Sequence, residues 1–100
     1  MSNQTVFVTA RVFAKPEYIN EVKAACFGLV EPSRQEAGCI SYHLFQSIET
    51  PNLFMFFEEW KTSEDLENHL NTVHVAEFDE ATAGLLLEDE EIIYLRQISQ

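Results

Sequence analysis

The sequence predicts an α+β domain of the ferredoxin-like split β-α-β type, with element order β-α-β-β-α-β and an antiparallel sheet. Four short segments rich in β-branched and aromatic residues read as strands, two longer regions repeat apolar residues every three or four positions, and turn chemistry separates them. One hundred residues, 46% of them apolar and 12% aromatic, suffice for one core, so a single domain over residues 1–100 is expected.

The first strand runs from about Thr5 to Ala14 (TVFVTARVFA). It places Val6, Val8, Ala10 and Val12 on one face and Phe7, Thr9, Arg11 and Phe13 on the other. Both faces are mostly apolar, so both should be covered. Lys15-Pro16-Glu17 breaks the strand, and Pro16 suits a helix entry. Ile19, Val22, Cys26 and Leu29 then form one amphipathic stripe. Pro32 should end or kink this helix, because its ring removes a donor and crowds the preceding turn, and Gly38 is the expected helix stop. A second strand from about Ile40 to Ile48 sets Tyr42 and Leu44 against His43 and Phe45. Glu49-Thr50-Pro51-Asn52 is a turn, and Leu53 to Trp60 (LFMFFEEW) completes an antiparallel hairpin. Thr62 or Ser63 caps the next helix, where Leu66, His69, Leu70 and Val73 form the inward stripe. A further helical stretch aligns Val75, Phe78, Thr82 and Leu85, with Gly84 weakening its end. Glu88 to Glu91 is an acidic connection to a last strand, Ile92 to Ile98.

Charge narrows the function classes. Lys and Arg number 6 against 17 Asp and Glu, a net charge of −11, and residues 58–91 hold twelve acids with Lys61 as their one base. Such a field repels phosphate backbones and anionic lipid, so neither nucleic acid nor a membrane surface is an expected partner. No apolar run approaches the ~20 residues that cross a bilayer. Met1-Ser2-Asn3-Gln4-Thr5 shows no basic n-region before an apolar stretch, and the expected location is cytoplasmic. Cys26 and Cys39 fit no disulfide framework or metal spacing and are read as reduced thiols packed as small hydrophobes.

The strong chemical motifs are absent: there is no phosphate-binding glycine loop, nucleophile elbow or paired metal cysteines. His69 and His74 are five apart, imperfect register for a helical metal pair, so no metal is expected. His69 nonetheless lies on the inward stripe of its helix. Glu58 and Trp60 share a face of the third strand shortly before it, and a tight reversal would gather carboxylate, indole and imidazole around one aromatic-lined cavity. The plain alternative is a core imidazole satisfied by a carbonyl, with Trp60, Phe54 and Phe56 as core filling. Glu58 on an apolar face needs a partner, for which Arg11 is the candidate.

Three stretches carry a family resemblance: Glu36-x-Gly38-Cys39-Ile40-x-Tyr42, Glu58-x-Trp60, and Leu66-Glu67-x-His69-Leu70-x-Thr72-x-His74. Together they resemble the antibiotic biosynthesis monooxygenase family of dimeric ferredoxin-like α+β barrel proteins, and most of all its small bacterial quinol monooxygenases. Val73 stands where such members usually have proline. Polyketide-oxidising members place asparagine and tyrosine where this chain has Phe56 and Leu66, and haem-degrading members place asparagine and histidine near Ala10 and Asp79. Neither substrate class is expected here. Members that process a phosphorylated autoinducer share the Thr-x-His ending.

The resemblance implies a cofactor-independent monooxygenase that oxidises a quinol-like or polyphenolic small molecule with O2. His69 would be the base, oriented by His74 or Glu58. Trp60 would be the stacking wall with one indole donor, and Phe54, Phe56, Tyr42 and Arg11 would complete the substrate site. An isomerase of a small phosphorylated ketone and a non-catalytic dimeric ligand-binding or stress-associated protein are the alternatives. A homodimer through sheet-to-sheet packing is expected, since the second apolar sheet face exceeds what a soluble monomer exposes.

Overall fold

The computed structural model describes residues 4–99; residues 1–3, part of the 1–5 segment on which the leader expectation rests, and residue 100 lie outside it. The elements are β1 (Val6–Phe13), a short 3-10 turn (Pro16–Tyr18), α1 (Ile19–Arg34), β2 (Cys39–Gln46), β3 (Leu53–Trp60), α2 (Ser63–Leu70), α3 (Val73–Thr82) and β4 (Glu91–Leu95). The sheet order is β2-β3-β1-β4 with every pairing antiparallel, which is the ferredoxin-like arrangement.

Register explains what faces the helices. Tyr42, Glu58, Val8 and Tyr94 lie in one cross-strand row, and Leu44, Phe56, Ala10 and Ile92 in the next. Phe54 pairs with Val12 and Trp60 with Val6 on the same face. The helix-side members of β1 to β3 are almost all buried against Val22, Cys26 and Leu29 of α1, Leu66 of α2 and Phe78 of α3. The opposite face carries Phe7, Thr9, Arg11, Phe13, Met55, Phe57, His43, Phe45, Ile93 and Leu95 and is only partly covered.

Several expectations are corrected. α1 does not stop at Pro32 but runs on to Arg34, so the ring costs one donor inside the helix and only two helical residues follow it. Gly38 is not a helix stop: it sits four residues past the end, and a methyl group there would overlap the Asp65 side chain. Its role is a close approach between the α1–β2 loop and the first turn of α2. The second helical region comes in pieces, as expected, with the break at Asn71 and Thr72 and a threonine N-cap on each helix: Thr62 accepts from the Asp65 amide and Thr72 from the Val75 amide. Val73 therefore starts α3 and is exposed, and Leu70 is at the edge of exposure. β4 ends at Leu95, leaving Ile98 outside the sheet.

Candidate active site

His69 is held from three sides. It occupies the last turn of α2 and is 3% exposed, with its ring 4.5 Å from Trp60 and 5.6 Å from Tyr42. Its Nδ1 lies 2.7 Å from Glu36 Oε2, and His74 Nε2 lies 2.8 Å from that same oxygen. A carboxylate oxygen only accepts, so both rings donate to it and both tautomers are fixed. Nδ1 carries the His69 proton, and Nε2 keeps the free lone pair. Among the described residues Nε2 makes no hydrogen bond within the protein. Burial lowers the pKa of His69; the hydrogen bond and charge of Glu36 oppose this, and His74 adds to it. The ring is therefore neutral near pH 7 and able to take a proton.

Glu36 was not foreseen as a site residue, although it opens the first family stretch. It lies in the loop after α1, where no periodicity marks a residue, and it reaches 33 positions along the chain to His69. The five-residue spacing of the histidines also loses its force, because His69 and His74 sit on two helices joined by a sharp turn. Glu36 Oε2, His69 Nδ1 and His74 Nε2 lie within 4.8 Å of one another, which makes them a metal-competent set that spacing argued against. As they stand, the three satisfy one another by hydrogen bonds.

Glu58 does not orient His69 and does not meet Arg11. Its Oε1 accepts from Trp60 Nε1 at 2.9 Å, two residues along the same strand face. The indole donor is thus consumed within the protein. Burial pushes the Glu58 carboxyl up to about 7; the indole bond lowers it, and Glu90 and Glu36 raise it further. Arg11 projects from the opposite sheet face, where it pairs with Glu91 at 3.2 Å and lies over the Phe13 ring. The parity of β1 puts Arg11 with Phe7 and Phe13, and the β1–β3 register puts Glu58 beside Val8.

An internal cavity of about 40 Å³ sits between sheet and helices. Tyr42, Glu58, His69 and Glu90 contribute its polar wall, with Asp79 at its edge and Val8, Leu66, Val75, Phe78 and Ile92 among the apolar lining. Glu90 precedes β4, and burial together with Asp79 pushes its carboxyl up to about 7. Burial also raises the Tyr42 phenol, so it stays protonated. Of the expected site residues, Tyr42, Glu58, Trp60, His69 and His74 are brought together. Phe56 packs tilted against Tyr42 and edge-to-face with Phe78, and Phe54 lines a separate groove between α1 and β2. Burial pushes the thiol of Cys26 up to about 12 and that of Cys39 up to about 11, which leaves both weak nucleophiles.

The profile of the antibiotic biosynthesis monooxygenases matches residues 5–81, more than half of the chain. The chain belongs to that family. Among antibiotic biosynthesis monooxygenase relatives, YcnE of Bacillus subtilis, provisionally named a monooxygenase, is 32% identical over 73% of this chain and 77% of its own. The protein sll1783 of Synechocystis, which carries no functional name, is 34% identical over 91% of this chain; the match spans 62% of that relative's length. The crystal structure of PA3566 from Pseudomonas aeruginosa superimposes with a TM-score of 0.91 at 30% identity, covering 99% of both chains. Family membership and the name of YcnE support a role of the monooxygenase type.

Proposed function

We propose that this protein is a cofactor-independent monooxygenase for a quinol-like or polyphenolic molecule, acting as a homodimer on O2. One observation carries the reading: a neutral imidazole, held between Trp60 and the Glu36 carboxylate with its Nδ1 committed to that carboxylate, lines the cavity between sheet and helices. His69 Nε2 takes a phenolic proton, and the resulting anion is electron-rich enough to reduce triplet oxygen by one electron. Recombination of the radical pair forms the C–O bond. Collapse of the peroxide then releases water and leaves the oxidised, oxygenated ring. The apolar walls exclude bulk water from these intermediates. With the indole N–H committed to Glu58, the donors left for an oxyanion are the Tyr42 hydroxyl and a protonated Glu58.

The uncovered sheet face supports the dimer. Phe45, Phe57, Ile93 and Leu95 remain between 37% and 56% exposed, contiguous with a Phe7–Phe57 stack at 6.2 Å. A self-complementary patch of this kind closes with a twofold axis.

The test is oxygen uptake with menadiol in the presence of a chelator, with anaerobic controls. Enzyme-dependent uptake matched by oxygenated quinone, lost in His69→Ala, is expected. No uptake above the autoxidation blank, or uptake abolished by the chelator, would overturn it.

A further inference from the structure

The cavity and the recess beside it have a charge pattern that the proposed chemistry does not require. Outside Asp79 and Glu90 a wider recess of about 390 Å³ lies between the end of α3 and the segment leading to β4. It shares Phe78, Asp79 and Glu90 with the inner cavity and adds Glu88 and Asp89. Together the two linings hold Asp79, Glu88, Asp89, Glu90 and Glu58, and neither includes a lysine or arginine. The base near the rim is Lys15, whose ammonium is held on the Gly84 carbonyl at 2.8 Å. Of the six lysines and arginines in the chain, Lys23 and Arg34 stand at the α1–β2 groove instead.

Building on the oxygenase reading, we infer that this site takes an aromatic diol that is uncharged or carries a protonated amine, and rejects diols bearing a carboxylate, sulfate or phosphate. A unit charge facing one ionised carboxylate across a few ångströms of partly wet protein changes affinity by about tenfold. An anionic substituent here meets several carboxyl groups, of which Glu58 and Glu90 are ionised only in part near pH 7, and an ammonium meets them with the opposite sign. The alternative of a phosphorylated substrate is disfavoured by the same wall.

Trp60, the sole tryptophan, lies against His69 beside the cavity and reports occupancy without turnover. Anaerobic quenching titrations would compare 1,4-dihydroxynaphthalene, its 2-carboxylate and its 2-aminomethyl derivative. The carboxylate should bind at least about tenfold more weakly than the parent, and the amine at least as tightly. The gap between carboxylate and parent should shrink at least threefold in Glu90→Gln and in Asp79→Asn, and again at high salt. Equal affinities, or a gap unmoved by both variants and by salt, would overturn the inference. Failure of all three compounds to bind would overturn it together with the oxygenase reading. Charge-ordered binding without oxygen uptake would sustain the inference and remove the oxygenase reading alone.

Discussion

The Glu58 carboxyl makes the stability of this fold depend on pH in a direction opposite to ordinary acid denaturation. It sits in the β3 row beside Val8 and Tyr42, 5% exposed, with Trp60 Nε1 as its hydrogen-bond donor. Burial moves it from the usual 4.5 to about 7. A carboxyl raised in the folded state binds more protons there than in the unfolded chain. Its contribution is therefore harmless below 4.5 and destabilises progressively as pH rises to 7. Fully ionised, the group costs the native state about 3 kcal/mol, most of it arising between pH 5 and pH 8. Glu58→Gln keeps an oxygen for the indole and removes the ionisation. Urea unfolding at pH 5 and pH 8 should show the variant gaining about 2–3 kcal/mol over the wild type at the upper pH relative to the lower. His69, whose pKa is lowered, acts in the other direction below pH 6.5, but it is common to both proteins and cancels in the difference. Parallel pH profiles for the two proteins would refute the reasoning, because the buried carboxyl would then ionise at no cost to the fold.

His69→Ala should lower menadiol-dependent oxygen uptake by about 10²–10⁴ with a far smaller change in unfolding midpoint, while His43→Ala on the open sheet face leaves turnover nearly unchanged. Glu36→Gln should cut kcat/KM by about 10–100-fold and move the acid limb of the pH profile downward, since the charge that raises His69 is gone; an unmoved limb would show Glu36 to be structural only. Gly38→Ala should destabilise the domain by about 1–3 kcal/mol in urea unfolding, because a methyl overlaps Asp65. Phe57→Glu in the open face should convert a dimer to monomer in sedimentation at low micromolar concentration, and a wild type already at 11.5 kDa would remove the dimer from the proposal.

Much of this architecture was legible from short-range pattern. Leu53 to Trp60 reads as a strand because a short run of large apolar residues follows a turn, and the period of two along a strand already places Glu58 and Trp60 on one face. The inward position of His69 follows from its distance to Leu66. Pairing across elements was not legible. The Arg11–Glu58 partnership failed because the side a residue faces is fixed by strand register, which a single sequence does not encode. Glu36, Asp79 and Glu90 complete the site from a loop, an exposed helical position and an acidic connection. In each place charge is the ordinary solvated state, and the sequence offers no contrast to mark the few that turn inward. The indole–carboxylate bond had a local cue in the i, i+2 spacing, but its consequence, an indole with no donor to spare, needs the measured 2.9 Å.

β4 has a further consequence. It is an edge strand bonded on one side to β1 alone, and its Ile92 and Tyr94 remain 41% and 58% exposed even though they point toward the helical layer. Yet Ile92 and the adjoining Glu90 form part of the cavity wall. One part of the wall thus comes from the least protected strand of the sheet. A void of about 40 Å³ holds one or two water molecules and no bicyclic diol, so ligand entry has to displace part of that wall. Partial detachment of an edge strand is a sub-global event, with a free energy far below that of unfolding. Amide hydrogens of β4 should accordingly exchange orders of magnitude faster than those of β1 and β3. A bound ligand should slow them selectively, because residence in the cavity then depends on how rarely this one strand lets go.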